Sequence, residues 1–294
     1  MSALSTTAPP GFRAGLAVLV GRTNAGKSTL LNALVGAKVS IVTPKPQTTR
    51  QPVHGVVHRP EGQAAFVDTP GFFKTHASRL VERLHERARK ALQDIDVVVH
   101  VADPTRPIGP EDRMVRKALA GVVQPRLLCL SKADVPEKPA RDRWLALAAD
   151  YAEVIEVSAL AGTGLDRLLA AVIARLPEGP PLYPPDELTN AHRSFQIGEL
   201  IREQVYLRTD DEVPYRTDVE VGLVEEVRDA EGRPALRVLA SVLAANDRYQ
   251  RMLIGIGAKK IRSIRHAARA ELRRRFGCPV ELELDVVVEP ELAR

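Results

Sequence analysis

The chain reads as an α/β unit with a mainly parallel sheet, followed by a smaller α+β unit. Three observations predict this. Strand-like apolar runs alternate with helical patterns from 14 to 177, the pattern of a parallel sheet covered on both faces. A glycine-rich turn at 21–28 leads from the first strand into the first helix. Beyond a proline-rich stretch the order becomes helix, hairpin, basic helix and strand.

The strands of the first unit are 14–20, 52–58, 63–68, 96–103, 125–131 and 152–158. Helical patterns lie near 27–36, 78–94, 110–121, 140–150 and 164–176. The segment 176–189 holds five prolines, which cannot continue a helix. The expected division is a tail over 1–13, a first domain over 14–177, a linker over 178–189 and a second domain over 190–294. In the second, 194–209 carries a helical stripe and 217–227 and 234–244 alternate as a hairpin around DAEGR. The turn GIGA at 255–258 opens a basic helix to about Phe276, and 280–289 is the last strand.

Length and composition narrow the function classes. The chain has 294 residues, 45% hydrophobic and 27% charged, with net charge +5. That excludes a disordered or collagenous chain. Cys129 and Cys278 are the only cysteines, so a disulfide framework or Cys-based zinc site is excluded and a reducing compartment fits. The longest apolar runs are well short of the about 20 residues that span a bilayer, and the start lacks a basic n-region. A cytoplasmic protein is expected.

GRTNAGKS (21–28) is a G-x-x-x-x-G-K-S loop in the strand–loop–helix context that its chemistry needs. Gly21, Arg22, Thr23, Asn24, Ala25 and Gly26 offer a backbone that curls around phosphates. Lys27 brings a point charge to the β and γ phosphates, Ser28 a hydroxyl to Mg²⁺, and Thr29 continues the helix N-terminus. DTPG ends the third strand. Asp68 stands where a carboxylate holds Mg²⁺, with Thr69 and Pro70 in the turn, and the Gly71 N–H can sense a γ-phosphate. The polar, proline-broken stretch 42–50 fits a switch loop in which Thr48 or Thr49 meets the metal. SKAD decides the base: the Asp134 carboxylate accepts from both N1–H and the exocyclic amine of guanine, a pair adenine lacks. Lys132 lays its stem over the base beside Ser131, while Ser158, Ala159 and Leu160 of VSAL bring donors to the guanine oxygen.

Hydrolysis is expected to be slow. The position after the DxxG motif, where signalling GTPases place a water-orienting Gln, is Phe72. Lys27, Asn24 and Gly71 are the candidate catalytic groups. Asn24 either shapes the loop by an Asx turn or, as the family resemblance described below implies, accompanies a K⁺ ion near the β–γ bridge. The scattered histidines show no ligand spacing.

From Arg248 to Arg275 there are ten Lys or Arg and one acid, Glu271. Ile261, Ile264, Ala268 and Leu272 mark the packed face of this helix, and Arg262, Arg265, Arg269 and Arg273 a second stripe about 100° away. With Gly255, Ile256, Gly257, Ala258, Lys259 and Lys260 before the stripe, the pattern is that of a loop–helix clamp on single-stranded RNA.

The motifs GRTNAGKST, SIVTPKPQTTR, VDTPGF, SKAD and VSAL, followed by the basic loop, resemble the Era family of bacterial GTPases over about 14–289. The resemblance implies a TrmE–Era–EngA-like GTPase domain and a C-terminal type II KH domain. It further implies binding of GTP and GDP, and of the 3′ region of 16S rRNA, during small ribosomal subunit maturation. A monomer is expected, with possible peripheral contact at the inner face of the membrane. Two positions depart from the family pattern: Ser131 replaces the usual Asn, and Ala258 the second glycine of Gly-x-x-Gly. A kinase for small molecules leaves SKAD, DTPG and the basic helix unexplained. The other alternative is a membrane-associated signalling GTPase touching anionic lipid through the basic block.

Overall fold

The computed structural model describes residues 9–71, 86–87, 90–91, 94–210 and 212–293. Phe72 and most of the helix expected over 78–94 lie outside these residues. The chain forms two compact units, Met1–Asn190 and Ala191–Arg294.

In the first unit β1 (Arg13–Val20) leads into α1 (Lys27–Val35), then β2 (Val53–Arg59), β3 (Gly62–Asp68) and β4 (Val97–Ala102). There follow α2 (Pro110–Leu119), β5 (Arg126–Leu130), α3 (Arg141–Leu145), β6 (Glu153–Glu156) and α4 (Leu165–Ile173). The sheet order is β2-β3-β1-β4-β5-β6. All pairings are parallel except β2 with β3. Every residue of β3 and β4 is buried, as expected for strands covered on both faces. The period of two is visible along β1: Ala17 and Leu19 join a core with Leu31, Phe66, Leu168 and Val172, and Val18 and Val20 one with Val98, Val115 and Leu119.

This order puts neighbours β3 and β4 on opposite sides of β1, so the carboxyl ends of the parallel strands converge at a topological switch point. Asp68, Asp103, Ser131 and Ser158 stand at or just past those ends.

The helix read over 140–150 is shorter: α3 stops at Leu145 and a 3₁₀ turn occupies Ala148–Asp150. Two contacts to the buried His100 flank this break. Trp144 is fully buried against the His100 ring (centroids 5.4 Å apart), and Tyr151 Oη lies 2.6 Å from His100 Nδ1.

The proline-rich segment is tied to the edge strand β2 and its neighbour β3. Gln63 Oε1 accepts from Leu182 N (2.7 Å) and Tyr183 N (2.9 Å), and its amide donates to Tyr183 O at 2.7 Å. Val56 N donates to Leu188 O, and Gly55 bridges to Thr189. An otherwise open sheet edge is thereby covered.

The second unit contains α5 (Arg193–Arg208), β7 (Thr217–Arg228), β8 (Pro234–Ala244), α6 (Asp247–Ile254), α7 (Lys259–Phe276) and β9 (Val280–Val288). The sheet order is β7-β8-β9, with β7 antiparallel and β9 parallel to β8. Leu236, Val238, Ala240, Val242 and Ala244 are buried on one face of β8, and Ile264, Ala268 and Leu272 on α7. The sequence reading placed one helix between hairpin and last strand, whereas there are two. Helix α6 is eight residues long, buries Tyr249 and Leu253 one turn apart, and is started by the Asn246 side chain accepting from Tyr249 N at 3.1 Å.

Candidate functional site

The phosphate loop is held from several sides. Lys27 Nζ donates to Gly21 O (3.2 Å) and Arg22 O (3.0 Å), so it lies along the loop. Burial lowers its pKa to about 8, opposed by the charges of Asp68 and Glu111. Asn24 adopts a left-handed φ of 57° and donates through Nδ2 to Pro44 O at 2.8 Å, tying the loop to the 42–50 stretch. Gly21 and Gly71 are places where only glycine fits. A Cβ on Gly21 would meet Val101 O at 2.3 Å, and one on Gly71 would meet Thr23 N at 2.8 Å.

Asp68 is fully buried, and its Oδ2 accepts from Ser28 Oγ (2.6 Å), Ser40 Oγ (2.8 Å) and Thr49 Oγ1 (3.2 Å). Its Oδ1 is buried without a hydrogen-bond partner among the described residues. Desolvation raises its pKa against the pull of Lys27 and the three hydroxyls. An orphaned carboxylate oxygen beside a serine hydroxyl is a donor set that suits Mg²⁺, a hard cation needing few protein ligands. Of the two threonines left open by sequence, Thr49 reaches this cluster. Thr48 Oγ1 instead pairs with Thr43 Oγ1 (2.6 Å) and donates to Lys45 O (2.8 Å). Sequence reasoning missed Ser40. Its hydroxyl arrives at Asp68 because Asn32 Oδ1 accepts from Val39 N and Ser40 N, both at 2.9 Å.

The base end is built from β5 and β6. Ser131 Oγ has Ala25 O at 2.7 Å and Ala102 O at 3.0 Å. Lys132 has a left-handed φ of 57°, and its Nζ donates to Asp103 Oδ2 at 2.7 Å. Asp134 is exposed, and its Oδ1 accepts from Ser158 Oγ at 2.5 Å, which holds the carboxyl below the usual range. The same Ser158 oxygen accepts from Ala161 N at 3.0 Å. Ala159 is half-buried and Leu160 is exposed. Arg22 turns away from the loop, with its guanidinium buried 3.2 Å from Asp112 Oδ2 and 3.5 Å from Asp103 Oδ2. Any contact of Arg22 or Ala25 with phosphate therefore runs through the backbone. Thr23 Oγ1 is engaged with Glu111 at 3.4 Å. Thr29 lies in the first turn of α1, and Thr69 Oγ1 donates to Leu19 O at 2.8 Å just before Pro70.

In the second unit the turn before α7 is left-handed at Gly255 (φ 69°), Gly257 (56°) and Ala258 (59°). Ile256 is 92% exposed at its tip. Arg262, Arg265, Arg269 and Arg273 are exposed on α7, and Arg262 closes the turn by donating to Gly257 O at 2.5 Å. Lys259, the first residue of α7, is exposed. Lys260 is half-buried, and its Nζ donates to Arg208 O at 2.8 Å at the end of α5.

The family model described as 50S ribosome-binding GTPase matches residues 16–132. GTPase Era of Nostoc sp. is 39% identical over 97% of this chain and 87% of its own length. That of Halothermothrix orenii is 36% identical over 95% and 94%. The chain belongs to the Era GTPase family. Two Era crystal structures, each 31% identical, superpose with a TM-score of 0.87 over 95% of both chains. One holds Era with MgGDPNP and nucleotides 1506–1542 of 16S ribosomal RNA, the other a point variant of Aquifex aeolicus Era with GDP·AlF4⁻. The αββααβ order of the second unit agrees with the KH domain expected for Era.

Proposed function

We propose that this chain is a GTP-driven switch that binds the 3′ region of 16S rRNA during small-subunit maturation. One observation carries the reading. The chain that places Lys27 at the start of α1, Asp68 at the end of β3 and Asp134 just past β5 also presents an exposed arginine stripe behind a left-handed turn. The relative crystallised with an rRNA fragment shares this architecture.

In this reading Lys27 exchanges its two carbonyl partners for phosphate oxygens, and the Gly71 N–H approaches the γ-phosphate. Ser28, Asp68 and Thr49 hold Mg²⁺, which neutralises charge between the β and γ phosphates when bound. Asp134 keeps one oxygen on Ser158 and turns the other to guanine. Asn24 has its Oδ1 available for a K⁺ ion, so K⁺ should speed hydrolysis relative to Na⁺. Turnover is slow, since Phe72 positions no water. The RNA lies along the 255–258 turn, Lys259, Arg262, Arg265 and Arg269, and is read by backbone electrostatics and base-edge contacts.

The test titrates labelled GTP and ATP, then a single-stranded RNA of the 16S 3′ end, with anionic vesicles as a separate arm. Selective GTP binding and RNA affinity lost in the Gly255→Asp/Gly257→Asp double variant are expected. Binding to vesicles with none to RNA would replace this reading with that of a peripheral membrane GTPase. RNA affinity should also differ between GDP and a non-hydrolysable GTP analogue, with the same factor appearing reciprocally in nucleotide affinity. Identical curves would leave an RNA binder without a switch.

A further inference from the structure

Behind the nucleotide site two buried carboxylates outside the sequence motifs, Asp103 and Asp112, join charged residues of the phosphate loop and of SKAD into one network. Asp103 follows β4 and is 1% exposed. Its Oδ1 accepts from Thr105 N (3.0 Å) and Thr105 Oγ1 (2.6 Å), which fixes the carboxylate in one orientation. Its Oδ2 faces two cations at once: Lys132 Nζ at 2.7 Å and an Arg22 guanidinium nitrogen at 3.5 Å. Arg22 is anchored on its other side by Asp112 Oδ2 at 3.2 Å, and its carbonyl oxygen receives Lys27 Nζ at 3.0 Å. A continuous path of polar contacts thus runs Lys132–Asp103–Arg22–Lys27.

Lys132 would stack its stem on the base and Lys27 would meet the phosphates, so the path spans both ends of a bound nucleotide. A lysine stem is a poor platform when free, because its rotamer freedom must be given up on stacking. A tip fixed to a saturated, buried carboxylate loses most of that freedom before ligand arrives. The left-handed backbone of Lys132 is a conformation that carries strain for a side-chain-bearing residue, and the Asp103 contact holds its side chain in that geometry.

We infer that Asp103 is a positioning residue for nucleotide binding: it fixes Lys132 as the platform for the base and ties that platform to the phosphate loop through Arg22. The inference rests on the guanine-nucleotide reading of this site. Asp103 should act on GDP and GTP alike, since both carry the base.

The test is a double-mutant cycle on the full chain, read by fluorescent GDP and GTP analogues and by steady-state hydrolysis. Asp103→Asn keeps the shape and the Thr105 contacts but removes the charge. Both nucleotides should bind about tenfold more weakly, with KM raised more than kcat falls. Lys132→Met keeps a stem and removes the ammonium. In that background Asp103→Asn should cost less than about threefold further, because the lysine tip it holds is already gone and only the Arg22 contact remains to be lost. Additive losses, or a fall confined to kcat, would overturn the inference. A lower melting temperature with unchanged affinity would do the same, since that is what a purely structural carboxylate produces. If the unmodified chain bound neither nucleotide, the guanine reading itself would fall, which is a different result from a silent Asp103→Asn.

Discussion

Ser131 Oγ lies 2.7 Å from the carbonyl oxygen of Ala25, so one hydroxyl at the end of β5 braces the phosphate loop. The same hydroxyl lies 3.0 Å from Ala102 O at the end of β4, so it sits between the phosphate loop and the neighbouring strand.

Ser131→Ala removes the donor and leaves Ala25 O without that partner, at a cost of about 1–3 kcal/mol. The expected outcome is a lower melting temperature without nucleotide and faster GDP release, measured by stopped-flow fluorescence. Ser131→Asn should tighten guanine binding by no more than about 1.5 kcal/mol.

Asp134→Asn keeps an oxygen for the Ser158 hydroxyl and presents an amide where guanine needs an acceptor. GTP affinity should fall roughly 10- to 100-fold, and xanthosine triphosphate should become the better ligand. Calorimetric titration with both nucleotides checks this, and unchanged GTP affinity would place the base elsewhere.

His100 is fully buried, and desolvation lowers its pKa from 6.5 to about 3. The unfolded chain therefore binds more protons than the folded one between pH 6.5 and about 3. Stability should fall as pH drops through that window and stay level above it with respect to this group. At about pH 5 the loss is about 2 kcal/mol. Urea unfolding of the wild type and of His100→Phe against pH checks the sign: the variant starts from a different stability but should show a flatter acid limb.

Ala258 has a φ of 59°, which a side chain disfavours by about 1–2 kcal/mol. Ala258→Gly relieves that strain and adds chain entropy to the unfolded state, so the net gain should be at most about 1 kcal/mol. Melting of the variant should rise or hold, while RNA affinity should not fall, since glycine is what the family loop usually carries. A destabilised Ala258→Gly would show that the methyl group is packed.

The chemistry of the nucleotide site was legible in the chain because each motif is a short, contiguous string with its own local geometry. GRTNAGKS between a strand and a helix, DTPG at a strand end and SKAD two strands later need only the period of the pattern to be placed. The arginine stripe of α7 was readable for the same reason, since 3.6-residue periodicity assigns faces without reference to any other element. Tertiary structure alone decided what lies between the motifs. Ser40, Asp103 and Asp112 enter through contacts separated by 28, 29 and 90 residues, and no local pattern distinguishes them from other surface-type polar residues. Thr49 was separated from Thr48, Lys260 was given a carbonyl partner at the end of α5, and the proline-rich stretch was laid along β2. Each of those outcomes depends on where a hydrogen-bond partner sits in space. Such partners are set by strand order, which joins β1 to both β3 and β4, and strand order is a property of the packed sheet.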